Sequence, residues 1–218
     1  MLDQTRPPPP PETHRPGHLD YKPYAELDQV LTEPLYVGLS ADDSRRIFRT
    51  IQGVTKSPYC HAMLIGRGKS KFLLTESTTP CSQVVFLEDR LREGDDMFQP
   101  QAGLIDVFRV IPPMDLKGAW DWSLCCAGEP YSIMDNVEIW LKRYRGLPWK
   151  VTPDNDEPKG CKRDCSCQVH AALHTHGLKP LAWPDENGLR YDCMVAPRDL
   201  CADAHPALFK YVCTPVWQ

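Results

Sequence analysis

Short apolar runs separated by glycines and polar residues predict strands in the middle of the chain. The run HAMLIGRG at 61–68 and the run SKFLLTES at 70–77 predict a β-hairpin whose turn lies near residues 66–69. The apolar segments SQVVFLEDRL at 82–91 and GLIDVFRVI at 103–111 predict two more strands. The central part of the chain is therefore expected to form a sheet.

Other segments show the spacing of amphipathic helices. Ser40 can cap the first of them and Gly53 can stop it, and Gly177 closes the third. Because helices flank a run of strands, the pattern predicts an α+β fold. Helices are predicted for residues 40–53, 131–146 and 165–177, with a further helical turn opened by Pro197.

Residues 1–34 differ in composition from the rest. Pro7 to Pro11 is an unbroken proline run, which favours an extended polyproline II path. This segment is expected to be either a disordered tail or an arm that docks on a protein partner, and residues 35–218 are expected to form the folded domain. The apolar residues that such an arm would present are Tyr21, Tyr24, Leu27 and Leu31.

Composition narrows the class of protein. The chain has 218 residues, a net charge of −4 and a pI of about 6.0, so a general nucleic-acid-binding surface is not expected. No apolar run approaches the ~20 residues of a membrane span, and the N-terminal sequence lacks the apolar core of a secretory signal. Ten cysteines in this context indicate reduced thiols. A cytoplasmic location is expected, or a virion if a phage encodes the chain.

The segment CKRDCSCQVHAALHTHGL at 161–178 holds the densest set of reactive side chains. One hypothesis is a zinc site, although the spacing matches no common zinc knuckle. A second is a core helix with a buried, inert cysteine. A third is a nucleophile at Cys165, where a helix N-terminus would stabilise a thiolate and an oxyanion. The metal ligands of the first hypothesis would be Cys161, Cys167, His170 and His174, with Cys165 and His176 nearby.

A nucleophilic cysteine needs a histidine as base, and that histidine can be remote in sequence. His61 opens an apolar strand and is the best candidate, because the histidines of the Cys165 helix cannot fold back onto its first residue. Glu76 ends the other strand of the predicted hairpin. If the hairpin pairs, Glu76 can lie beside His61 and orient its ring.

These segments resemble circularly permuted papain-like cysteine hydrolases of the NlpC-type superfamily. The helix CSCQVHAAL resembles the Cys-Ser-Glu-Leu-Val helix of that group, and TKSPYCHAMLIG resembles its histidine strand. LLTES resembles the strand that follows, and VAPRDLCAD resembles a Pro-x-Asp-Leu segment near the group's C-terminus. The order histidine, acid, cysteine is that of the permuted branch. The resemblance covers roughly residues 36–205.

The resemblance implies a papain-like core in which Cys165 is the nucleophile, His61 the general base and Glu76 the orienting residue. Tyr59 and Ser166, which neighbour the base and the nucleophile, are expected to contact substrate. Cys167 stands where the group has a glutamate, Gln168 where it has a leucine, and Cys60 where a serine is common. These departures leave the candidate triad intact but bear on substrate preference.

The expected function is hydrolysis of an amide bond through a thioester, without a cofactor, and the implied substrate is a cell-wall peptide. Acyl-ester or acyl-lysine hydrolysis, or acyl transfer, is an alternative within the same fold. A different alternative is a structural or docking component of a phage particle, in which the N-terminal arm binds a virion assembly.

Overall fold

The computed structural model describes residues 20–41, 46–55, 57–92, 104–131, 164–178 and 195–217. These residues form an α+β domain built on one seven-stranded mixed sheet, as the alternation of apolar runs and helical segments predicts. No helix in this part of the chain is both long enough and apolar enough to cross a membrane.

The elements follow one another in a fixed chain order. The strands are β1 (Tyr21–Pro23), β2 (Leu35–Ala41), β3 (His61–Arg67), β4 (Phe72–Ser77), β5 (Ser82–Phe86), β6 (Leu104–Val110) and β7 (Phe209–Val216). The helices are α1 (Leu27–Val30), α2 (Arg46–Thr55), α3 (Leu87–Arg92), α4 (Leu116–Cys125) and α5 (Cys165–Thr175). Short 3₁₀ turns lie at Tyr24–Glu26 and Pro197–Leu200.

The sheet order is β1-β7-β6-β2-β3-β4-β5. Every neighbouring pair is antiparallel except β1 and β7, which run parallel. The predicted hairpin is present as β3 and β4, and Gly68 N–H donates to the Lys71 carbonyl at 2.8 Å across its turn. This hairpin brings the start of β3 and the end of β4 to the same end of the sheet.

Helices cover both faces of the sheet, because side chains alternate along each buried strand. The α5-side core packs α4 and α5 on one face, and the α3-side core packs α1 and α3 on the other. Members of the α5-side core include Val37, Ala62, Leu64, Trp120, Val169 and Leu173. Members of the α3-side core include Leu27, Leu31, Met63, Ile65, Leu87 and Leu91.

One glycine in β3 is required by this packing. A Cβ placed on Gly66 would lie 2.5 Å from the Trp120 ring of α4, which is too close for any side chain. Gly177 closes helix α5 as predicted, and its φ of 113° is a conformation that favours glycine.

The segment at 40–53 differs from its prediction. Ser40 lies in β2 and pairs with both His61 and Ile105, so it is not a helix cap. The helix begins later, at Arg46, and continues through Gly53 to Thr55. The segment 82–91 also divides, since β5 ends at Phe86 and α3 follows at once. Pairing of Ser40 with β3 and β6 decided the first boundary, and the end of the β4–β5 pairing at Phe86 coincides with the second.

The predicted boundary at residue 34 is also displaced. Leu27 and Leu31 are fully buried in the α3-side core, and β1 pairs with β7. Residues 20–34 therefore belong to the folded domain, and these two leucines are used by the chain itself rather than offered to a partner. Pro7 to Pro11, residues 132–146 of the helix predicted over 131–146, and Cys161 lie outside the described residues.

Candidate active site

Helix α5 begins at Cys165 because the preceding residue caps it. Asp164 Oδ1 accepts from the Cys167 N–H at 2.7 Å and lies 3.1 Å from Ser166 Oγ. Burial raises the pKa of Asp164 to about 6, while its bonds to Cys167 and Ser166 act in the opposite direction. Cys165 itself is 5 % exposed, so its thiol lies at the buried start of an eleven-residue helix.

His61 and Glu76 meet through the hairpin. His61 is the first residue of β3, Glu76 is the second-last residue of β4, and His61 Nε2 lies 2.8 Å from Glu76 Oε2. Only 8 % of the His61 side chain and none of the Glu76 side chain is exposed. The hydrogen bond that was predicted if the hairpin paired is therefore present.

The thiol of Cys165 is the third group of the candidate site, and it interacts with the His61 ring. Burial acts to lower the pKa of His61, but the charge and hydrogen bond of Cys165, joined by those of Glu76, raise it above its ordinary value of 6.5. Because Glu76 occupies Nε2, the other ring nitrogen, Nδ1, is the one available to the thiol. This arrangement favours the protonated form of the His61 ring.

Glu76 is held as an anion by more than the histidine. Its second oxygen, Oε1, contacts the Arg90 guanidinium and accepts from Gln83 Nε2 at 2.8 Å. Burial acts to raise the pKa of Glu76, yet His61 and Arg90 together lower it below the ordinary value. The carboxylate therefore has partners on both oxygens.

The two predicted substrate contacts point elsewhere. Tyr59 is 1 % exposed and donates its hydroxyl to Asp106 Oδ2 at 2.8 Å, inside the core. Ser166 is equally buried and donates to the Val195 carbonyl at 2.8 Å. These contacts favour structural roles for both residues over the expected contact with substrate.

The described members of the alternative metal set, Cys167, His170 and His174, are not gathered into a site. Cys167 is buried in the α5-side core, and the rings of His170 and His174 stack on each other at 5.5 Å. Within the described ranges, no group of three or more histidine, cysteine or acidic side chains could hold a metal ion.

Three residues of the site were missed by the sequence reasoning. Asp164 could have been found, because aspartate is a preferred helix cap and directly precedes the predicted helix. Gln83 and Arg90 left no such signal. They lie in a segment predicted as one strand, and only the turn into α3 directs Arg90 back towards Glu76.

No protein-family model matches the chain, and no curated protein is significantly similar to it.

Proposed function

We propose that this chain is a cysteine hydrolase that cleaves an amide bond through a thioester intermediate. The supporting observation is the buried imidazole of His61, which hydrogen-bonds the Glu76 carboxylate at 2.8 Å and is influenced on its other side by the Cys165 thiol. A thiol at a helix start, a histidine base and an orienting acid are the parts that such a reaction requires.

In the proposed reaction His61 takes the proton of Cys165, and the thiolate attacks the carbonyl carbon of the substrate. The carbon–nitrogen bond then breaks as His61 gives that proton to the leaving amine. Water attacks the thioester with His61 again accepting a proton, which releases the acid and restores the thiol. Glu76 keeps the ring oriented and stabilises its charged form throughout.

The start of α5 offers a donor for the oxyanion. Asp164 engages the backbone N–H groups of Ser166 and Cys167, and the Gln168 N–H donates to the Asp164 carbonyl at 3.1 Å. Among the described residues, the Cys165 N–H in the first turn of α5 therefore has no identified acceptor. An N–H at this position can stabilise negative charge on the attacked carbonyl oxygen.

The proposed class and substrate rest on the resemblance to permuted papain-like hydrolases. The chain order His61, Glu76, Cys165 agrees with that branch, and an α+β domain with the helix packed on the sheet is compatible with it. We therefore propose a cell-wall peptide as the first substrate to assay, with acyl esters as the second.

The test is Cys165→Ala against the unaltered protein on purified peptidoglycan and on acyl-ester probes. Removing the nucleophile should reduce turnover roughly 10⁴-fold or more. Cys167→Ala is the matched control, because that thiol lies on the same helix but is buried in the core. Equal turnover by the Cys165→Ala protein and the unaltered protein would exclude the proposal.

Thiol reactivity separates hydrolysis from a structural or docking role. Iodoacetamide should modify Cys165 well below pH 8 if His61 holds it as a thiolate. Modification at Cys165 that rises only above that pH would favour the docking alternative.

A further inference from the structure

Helix α3 lies on the face of the sheet opposite α5, and it directs a buried arginine towards the candidate triad. Arg90 is 6 % exposed, and its guanidinium contacts Glu76 Oε1 while His61 uses Oε2. We propose that Arg90 is a positioning residue that sets the ionisation of the Cys165–His61 pair by acting through Glu76. This inference takes the proposed reactive pair as its starting point.

The two oxygens of the Glu76 carboxylate have different partners. Oε2 accepts from the ring of His61, whereas Oε1 accepts from Arg90 and from Gln83 Nε2. Both oxygens are hydrogen-bonded, so the carboxylate cannot rotate without losing a partner. Because the carboxylate is immobilised, the ring that it orients is immobilised as well.

The charges along this line alternate. When the thiol is ionised, the order is thiolate, imidazolium, carboxylate, guanidinium, and the buried set has no net charge. Without the guanidinium, His61 would be the nearest group left to compensate Glu76. The imidazole would then hold its proton more tightly, although the reaction requires that proton to be given to the leaving group.

The other arginine of the same helix provides a comparison. Arg92 lies two residues further along α3, and its guanidinium stacks over the Trp217 ring at 3.7 Å. Its described partner is an aromatic ring near the surface, whereas that of Arg90 is a buried carboxylate. The same substitution at the two positions therefore separates the loss of a charge on α3 from the loss of the Glu76 contact.

The experiment measures the rate of iodoacetamide modification at Cys165 as a function of pH, resolved from the other thiols by peptide mass spectrometry. In Arg90→Gln, loss of a positive charge disfavours the thiolate and favours the imidazolium. The profile has one limb set by ionisation of the Cys165 thiol and one set by loss of the His61 proton. Both limbs should move to higher pH, by about one pH unit. Arg92→Gln should leave the profile in place, and Arg90→Lys should show little of the shift because it keeps the charge.

A second variant keeps the test decisive if Arg90→Gln does not fold. Gln83 is half-buried and reaches the same carboxylate oxygen, so Gln83→Lys adds a cation there without removing Arg90. Both limbs should then move to lower pH, the opposite direction. A profile that is unchanged in the folded variants, whether Arg90→Gln or Gln83→Lys, would overturn the inference and leave Arg90 as a structural ion pair.

The outcomes distinguish this inference from the proposed function. Profiles that shift as expected in a protein that hydrolyses no peptide or ester would retain the role of Arg90 and reject the hydrolase. Hydrolysis that depends on Cys165, together with an Arg90→Gln profile that does not move, would do the reverse.

Discussion

Two buried carboxylates in the same sheet have different kinds of hydrogen-bond partner. Glu76 of β4 is bonded by His61 and Arg90, both able to carry positive charge. Asp106 of β6 is fully buried as well, but its described side-chain partners are hydroxyls, Tyr59 at 2.8 Å and Thr214 at 2.5 Å. Tyr59 of the Asp106 network and His61 of the Glu76 network are only two residues apart in the chain.

The difference in partners indicates a difference in task. A carboxylate bonded by hydroxyls fixes the positions of strands and side chains. Here Asp106 connects Tyr59 and β6 to β7 through Thr214, which also lies 2.7 Å from the Tyr211 hydroxyl of the same strand. A carboxylate between a histidine and an arginine couples its geometry to ionisation. We therefore expect the Asp106 network to govern stability alone and the Glu76 network to govern both stability and the reactivity of Cys165.

The largest effect should come from Glu76→Ala. This change leaves the buried guanidinium of Arg90 without its Glu76 partner, which typically costs about 3–5 kcal/mol of unfolding free energy. Urea denaturation should report that loss, and the folded fraction should show slower modification of Cys165 at neutral pH. Glu88→Ala, which breaks the exposed contact with Lys71, is the control and should cost far less. A loss no larger than that of the control would remove the distinction between the two carboxylates.

A smaller effect is expected from Asp106→Asn. The amide keeps one acceptor oxygen but presents N–H donors to the second hydroxyl, so one buried hydrogen bond is impaired at a cost of about 1–3 kcal/mol. Urea denaturation should detect this loss, while the pH profile of Cys165 modification should stay where it is. A displaced profile in this variant would mean that the two networks are coupled and that the comparison is mistaken.

The smallest effect is a change in how stability depends on pH. The pKa of Glu76 is lowered from 4.5, so its contribution is present above that value and is lost as pH falls through the folded-state pKa. The pKa of His61 is raised from 6.5, so its contribution is present below that value and is lost as pH rises through the folded-state pKa. The stabilisation is therefore greatest between about pH 4.5 and 6.5.

Glu76→Gln should flatten this dependence when unfolding free energies are compared from pH 3 to 9. Each proton bound differently by the two states contributes a slope of at most about 1.4 kcal/mol per pH unit. Tyr59→Phe is the control from the other network. The pKa of Tyr59 is raised above its ordinary value of 10 by burial and by Asp106, so this hydroxyl stays neutral and the curve should run parallel to that of the unaltered protein. A parallel curve for Glu76→Gln would contradict the prediction.

Local signals were sufficient for several parts of the site. The helix predicted over 165–177 is present at Cys165–Thr175, and Gly177 closes it as predicted. The hairpin that joins His61 to Glu76 has two alternating runs around a glycine turn, and it forms as predicted. Period, cap and turn all act over a few neighbouring residues, so they can be identified along the chain.

Partners distant in sequence could not be identified in this way. Ser40 has the residue type of a helix cap, but pairing with β3 and β6 places it in a strand. Tyr59 precedes the histidine by two residues, yet Asp106, far along the chain, draws its hydroxyl into the core. Leu27 and Leu31 lie in a proline-biased segment, and burial against α3 makes them part of the domain.

By itself, the sequence determined the α+β class, the helix that begins at Cys165 and the hairpin that joins His61 to Glu76, because each depends on local periodicity and turn chemistry. Only the tertiary structure decided that Arg90 and Gln83 complete the environment of Glu76 and that Tyr59 faces away from the site. The physical reason is that the charge state of a buried group depends on which side chains surround it in space. Those neighbours are supplied by strand pairing and helix packing across the whole sheet.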